Sequence, residues 1–321
     1  MTTAVIGIDI GGTNLRSALV LSSGEILEQR RTASRIEQGR DSFCSHLLAG
    51  IEDLRWLAAG RGITVHAVGA GVPGLIDRTG LIRSSVNMRP LEGLNLGAFL
   101  EERTGLPAAC GNDANTFALG EQRFGAGRGL ASFMVVTIGT GLGSGLILDG
   151  RLWTGAGGFA AEFGHVTVHP EGPPCPCGNR GCLEQYCSAG AVVRSARELI
   201  PGDLLAATAT DLNAEAVALL ARQGVPGARA AFERLGQWLG VALGSLTNTL
   251  NLQAVIVGGG VAASFDLLFP ALHAELSQRC FPTIYDGFAI FKTDLGDNAG
   301  LLGGAALAEE RLSPPSPPAH H

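Results

Sequence analysis

The apolar positions of this chain follow two periods. Ala4–Ile10 is a nearly unbroken apolar run followed by glycines, the pattern of a buried strand. Leu15–Leu21 and Ile26–Arg31 flank Ser22–Ser23–Gly24–Glu25 and read as a hairpin. In Asp41–Ala59 the apolar residues fall at 43, 47, 48, 51, 54, 57 and 58, the spacing of an amphipathic helix. Val65–Gly71 is a second strand running into Val72–Pro73–Gly74. Leu94–Thr104 reads as a helix stopped by Gly105 and Pro107, and Ala108–Cys110 as a short extended piece before Gly111–Asn112–Asp113. A helix is expected over Asn115–Phe124. Further helices are expected at about 188–200, 212–223, 227–250 and 299–311, with strands at Ala254–Val257 and Phe288–Lys292. Gly236, Gly240 and Gly244 form one small-residue stripe on the 227–250 helix, where another backbone can approach closely.

The opening pattern recurs. Ile10–Gly11–Gly12–Thr13 matches Ile138–Gly139–Thr140–Gly141, and each lies between a strand (Phe133–Ile138 in the second case) and a return strand (Ser144–Leu148). That recurrence predicts two similarly built α/β domains. The length of 321 residues fits two domains as well. Net charge is −6, which argues against a nucleic-acid footprint and against an anionic membrane surface as partner. Gly129–Leu148 and Leu235–Phe265 carry no charge, but glycines and amides interrupt both, so they read as buried core rather than membrane spans. The start, Met1–Thr2–Thr3, shows no signal peptide, and a cytoplasmic location is expected. The proline-rich end, 313–321, is expected to be a disordered tail.

Glycine, at 47 residues, is the compositional outlier. Three glycine clusters stand at strand ends: Asp9–Ile10–Gly11–Gly12–Thr13, Gly139–Thr140–Gly141–Leu142–Gly143 and Gly258–Gly259–Gly260. Backbone N–H groups exposed there can cradle phosphate oxygens, and three such turns suit a nucleotide held between domains. Neither the P-loop nor the dinucleotide fingerprint is present, and any one turn alone is equally an ordinary tight turn. Asp9 could hold a metal ion through water. Asn112–Asp113 admits two readings. Asp113 could accept a proton from a hydroxyl attacking phosphorus, or the pair could simply cap the helix that follows. His165 with Cys175, Cys177 and Cys182 supplies one imidazole and three thiolates, enough for a closed tetrahedral zinc site. Cys44, Cys110, Cys187 and Cys280 lack such spacing and read as small core residues. Glu162 and Glu184 flank the metal segment and either grip sugar hydroxyls or lie on solvated surface.

These residues carry a family resemblance. DIGGT (9–13), GVPG (71–74), GNDAN (111–115), GTGLGSG (139–145), GAGGFAAEFGH (155–165), CPCGNRGCLE (175–184) and VGGG (257–260) resemble the bacterial ROK family of sugar kinases, in the actin–hexokinase–Hsp70 superfamily. The resemblance runs from about Ala4 to Arg311. It implies two actin-like (ribonuclease H-like) domains flanking a cleft, with a small zinc-binding segment at 165–184 in the second. The first domain would hold 1–115 and recover the last helix at 299–312; the second would hold 116–298. The implied activity is ATP-dependent phosphorylation of a hexose, glucose by default, with N-acetylhexosamine, fructose or allose as alternatives. The implied roles follow the motifs. Asp113 is the catalytic base, and Asn87, Asn112, Glu162, His165 and Glu184 hold the sugar hydroxyls. Gly11, Gly12, Thr13, Gly139, Thr140 and Gly141 approach the triphosphate, Gly259 and Gly260 the adenosine, and Asp9 helps place Mg²⁺. His165, Cys175, Cys177 and Cys182 bind one structural Zn²⁺, whose loss should weaken sugar binding more than nucleotide binding. A homodimer is implied. The sequence departs from the family pattern at Met88–Arg89–Pro90–Leu91, at Ala160–Ala161, where glycine is frequent, and at Cys187–Ser188–Ala189. A non-catalytic sugar-sensing regulator is the reading of a different class. It is disfavoured because the family's repressors carry a helix-turn-helix before the first glycine turn, which here begins at residue 9 and leaves no room for one, and because the charge is acidic.

Overall fold

The computed structural model describes residues 2–203 and 212–312, so the tail expected at 313–321 lies outside the described residues. The chain divides into two compact units. Among the described residues, one holds 2–129, 152–160 and 297–312; the other holds 130–151, 161–203 and 212–296.

The first unit is built on a five-stranded sheet. Its strands are β1 (Thr2–Ile10), β2 (Asn14–Leu21), β3 (Ile26–Ala33), β4 (Ile63–Val72) and β7 (Ala108–Asn112), in the order β3-β2-β1-β4-β7. β1 runs antiparallel to β2 and parallel to β4, which is parallel to β7. Ile6, Ile8 and Ile10 of the first apolar run and Val68, Ala70 and Val72 of β4 lie in a core shared with α1 (Arg40–Gly60) and α2 (Leu96–Thr104). On α1 the buried residues Phe43, Leu47, Ile51, Leu54 and Ala58 are the stripe read from the sequence. A two-stranded ribbon, β5 (Leu75–Ile76) with β6 (Ile82–Ser84), follows the Val72–Pro73–Gly74 turn and is too short to leave a periodic trace. Helix α3 (Asp113–Phe124) starts two residues earlier than its apolar pattern indicates.

The last helix, α9 (Ala299–Leu312), belongs to this unit and lies against β1, β4 and α3. Glycine allows the approach. A Cβ at Gly69 would lie 1.9 Å from the carbonyl oxygen of Gly304, and one at Gly7 would lie 2.1 Å from that of Leu301.

The second unit repeats the plan. β8 (Phe133–Ile138), β9 (Leu142–Leu148), β10 (Arg151–Leu152), β11 (Ala254–Gly258) and β12 (Ala289–Lys292) take the order β10-β9-β8-β11-β12. β8 is antiparallel to β9 and parallel to β11, which is parallel to β12. The helices are α4 (Ala189–Leu199), α5 (Ala214–Arg222), α6 (Pro226–Leu250), α7 (Phe265–Arg279) and the one-turn α8 (Pro282–Tyr285). The glycine stripe of α6 faces α7: a Cβ at Gly236 would sit 2.3 Å from the Leu268 carbonyl oxygen. Among the described residues, no helix is long and apolar enough to cross a membrane.

Candidate active site

In the first unit the candidate residues gather at the C-terminal ends of the parallel strands, where α/β sheets present ligand-binding groups. β7 ends at Asn112, whose side-chain oxygen accepts the N–H groups of Ala114 and Asn115 at 3.0 and 3.1 Å. Its amide nitrogen donates to the Gly74 carbonyl at 3.1 Å. Asn112 is therefore the cap and Asp113 is the first helical residue. The Asp113 carboxylate accepts from Ala114 N at 3.0 Å, at the helix end that favours negative charge. Gly71 lets this helix start close to β4, since a Cβ there would fall 2.3 Å from Thr116 Oγ1.

The first glycine turn is tied down behind its open face. Gly11 N donates to Asn14 O at 2.8 Å, and Ser34 donates to Gly12 O through its hydroxyl at 2.6 Å and to Thr13 O through its amide at 2.9 Å. Asn87 lies beside this turn, its Cβ 3.5 Å from where a Cβ of Gly12 would be. Asp9 is ion-paired with Arg16, its partner across the β1–β2 hairpin. Arg16 Nε donates to Asp9 Oδ2 at 3.0 Å, and Nη1 donates to Asp297 O at 2.6 Å. The sequence reading missed Arg16. Its signal was available: a lone charge in an apolar strand, placed opposite Asp9 by hairpin register.

In the second unit the glycine turn 139–141 closes with Gly139 N donating to Gly141 O at 2.9 Å. A Cβ added at Gly139 or at Gly260 would meet nothing within 4 Å, so both backbones are open on that side. Gly259 takes φ +79° and packs against Ile138 at the end of β8. Glu162, His165 and Glu184 come together near this turn. His165 Nε2 is 4.0 Å from Glu162 Oε2. Glu184 Oε2 accepts from Leu142 N at 2.9 Å. Partial burial pushes the Glu162 carboxyl up; His165 opposes that and Glu184 adds to it. Ser144 is a second residue the sequence reading missed. Its buried hydroxyl donates to Ala161 O and accepts from Phe163 N at 3.2 Å, so it holds the backbone on both sides of Glu162.

His165, Cys175, Cys177 and Cys182 bring their ligand atoms within 4.8 Å of one another. Cys175 Sγ is 3.7 Å from His165 Nδ1, and Cys177 Sγ is 3.7 Å from Cys182 Sγ. A tetrahedron of zinc–thiolate bonds has edges of about 3.8 Å, so this donor set could hold one such ion. Burial, and then the neighbouring Cys175 and Cys177, push the Cys182 thiol up to about 12. A cation is what would offset that crowding of thiolates. The loop wraps the site through Gly178 and Gly181, both at positive φ, and Leu183 N donates to Val166 O at 2.9 Å. Behind it Tyr186 packs on Trp238, ring centroids 4.4 Å apart.

The sequence profile of the ROK family matches residues 5–311. A glucokinase of Thermotoga maritima is 35% identical over 315 residues, covering 96% of this chain and 98% of that protein. The crystal structure of a ROK family glucokinase from Streptomyces griseus, in complex with glucose and AMPPNP, aligns with a TM-score of 0.79 at 33% identity. It covers 96% of this chain and 99% of that one. A xylose repressor of Bacillus spizizenii is 32% identical, covering 76% of this chain and 61% of its own length. The glucokinase relatives support a sugar kinase and the repressor marks the family's other branch. With its profile spanning nearly the whole sequence and its fold matching at full length, the chain belongs to the ROK family.

Proposed function

We propose that the chain is an ATP-dependent hexose kinase converting glucose to glucose 6-phosphate. The observation that carries this reading is the division of labour at the β7–α3 corner. Asn112 already accepts the N–H groups of Ala114 and Asn115, so the helix start does not depend on the Asp113 carboxylate, which shares the Ala114 N–H. Asp113 takes the proton as the sugar hydroxyl oxygen attacks the γ-phosphorus; the phosphorus–oxygen bond to ADP breaks and the charge leaves on ADP. Glu162, His165 Nε2 and Glu184 hold hydroxyls, as do Asn87 and the remaining N–H of Asn112. The turns at Gly11–Thr13 and Gly139–Gly141 offer backbone N–H groups to the phosphates, and Gly259–Gly260 lies toward the adenosine. Mg²⁺ enters with ATP as co-substrate. Asp9 would reach it through water, and Arg16 sets the orientation of that carboxylate. Zinc held by His165, Cys175, Cys177 and Cys182 would fix both ends of the sugar-gripping segment. Four protein ligands leave no coordination position for substrate.

The near-full-length likeness to glucokinases, one of them bound to glucose and AMPPNP, supports glucose as the sugar. The test is a coupled ADP-release assay with ATP–Mg²⁺ and a panel of glucose, N-acetylglucosamine, N-acetylmannosamine, fructose and allose. The highest kcat/KM is expected for glucose. The repressor relative favours one second reading, a sugar-responsive regulator. Sugar binding by calorimetry with no turnover of any hexose would establish that reading instead.

A further inference from the structure

The carboxylate assigned to a sugar hydroxyl is also built into the turn assigned to phosphate. Glu184 Oε2 accepts the N–H of Leu142 at 2.9 Å, and Leu142 is where the 139–141 turn enters β9. The fit has no slack: a Cβ at Gly141 would lie 2.4 Å from Glu184 Oε2 and 3.3 Å from its Cδ. A side chain at 141 would push the carboxylate off the backbone. The same segment grips the other end of the turn, with Ala189 N donating to Gly139 O at 2.8 Å. Gly164, two residues after Glu162, also lies flush on the turn, since its Cβ would fall 2.4 Å from Leu142 O.

We propose, resting on the reading of 139–141 as a phosphate turn, that Glu184 is a positioning residue for that turn and couples sugar binding to nucleotide binding. One carboxylate oxygen is committed to Leu142 N, and the other is left for a sugar hydroxyl. A hydroxyl donating to it orders the side chain whose opposite oxygen shapes the turn. Sugar then tightens nucleotide binding, and by linkage nucleotide tightens sugar binding by the same factor.

The test is calorimetric titration of the full chain with AMPPNP–Mg²⁺, without sugar and with saturating glucose. Glu184→Ala is expected to weaken sugar-free AMPPNP binding about tenfold, the size of one charge-assisted hydrogen bond, and to abolish the effect of glucose on it. Glu184→Gln keeps a carbonyl oxygen for Leu142 N but alters the sugar-facing atom. It should stay within about twofold of wild type for sugar-free AMPPNP while the glucose KM rises, and it serves as the folded control. Wild-type AMPPNP affinity in Glu184→Ala overturns the proposal, as does a Gln variant that loses nucleotide as fully as Ala. Gly139→Asp separates the two layers of the argument. If it loses AMPPNP while Glu184→Ala keeps it, only the coupling is wrong. If it binds AMPPNP like wild type, the phosphate-turn reading fails and the coupling falls with it.

Discussion

The side-chain oxygen of Asn112 satisfies two backbone N–H groups at the start of α3, and its nitrogen anchors Gly74. Asp113 stands one residue later, at half burial. The two residues should therefore fail differently. Asp113→Asn keeps the shape but cannot take a proton. It should lower kcat by about 10²–10⁴ with little change in glucose KM and no large loss of stability. Asn112→Ala should cost about 1 kcal/mol in stability from the lost cap. Steady-state kinetics and denaturant melts on the two variants check this; wild-type kcat in Asp113→Asn would remove the base from the mechanism. A further residue-scale feature explains a departure from the family pattern. Ala161 adopts φ +69°, a left-handed conformation that glycine adopts without steric cost, which fits the glycine that the family resemblance implies for this segment. Here the cost is offset by Ser144, which bonds the Ala161 carbonyl and the Phe163 amide.

The elements that carry chemistry were legible in the sequence to different depths. Cys175, Cys177 and Cys182 were recognisable because thiols at short spacing with glycines between them have few other uses. The strands before Gly11 and Gly139 were legible from apolar runs, because a buried strand has no polar alternatives. The bond from Glu184 to Leu142 was not, since nothing local to either residue marks a contact across 42 positions. The start of α3 lies two residues before the expected Asn115, because Asn112 takes the cap position and Asp113 is already helical. The Glu184 bond changes the expectation for zinc. The sequence placed the effect of losing it on sugar binding above nucleotide binding, but the segment after Cys182 also holds the 139–141 turn at both ends. Cys177→Ala should reduce bound zinc from about one per chain toward none, raise the glucose KM, and weaken AMPPNP binding as well. Trp238, packed on Tyr186 behind the loop, should report the loosening as a change in fluorescence on chelation. Full zinc occupancy in the variant, or zinc loss with both affinities intact, would show that the ion does not organise the site.

At the scale of the whole molecule, the described residues form two apolar clusters, one in each unit. Ile6, Ile8, Phe43, Leu47 and Val68 belong to one; Val136, Ile138, Phe232, Leu239 and Val257 belong to the other. Each has its own five-stranded sheet, so each unit contains what a cooperative folding body needs. Two calorimetric transitions are expected rather than one, and the perturbations that move them should differ. Gly69→Ala puts a methyl 1.9 Å from the Gly304 carbonyl and 2.8 Å from Ala308 N. Neither backbone can yield without lifting α9 from the sheet. That variant should destabilise the first unit by about 1–3 kcal/mol or more. Zinc chelation should instead lower the transition of the unit that holds His165 and the three cysteines, leaving the other in place. If both perturbations shift a single transition by similar amounts, the two cores unfold as one body. The stability of the corner that presents Asp113 would then depend on the zinc segment as directly as on its own helix packing.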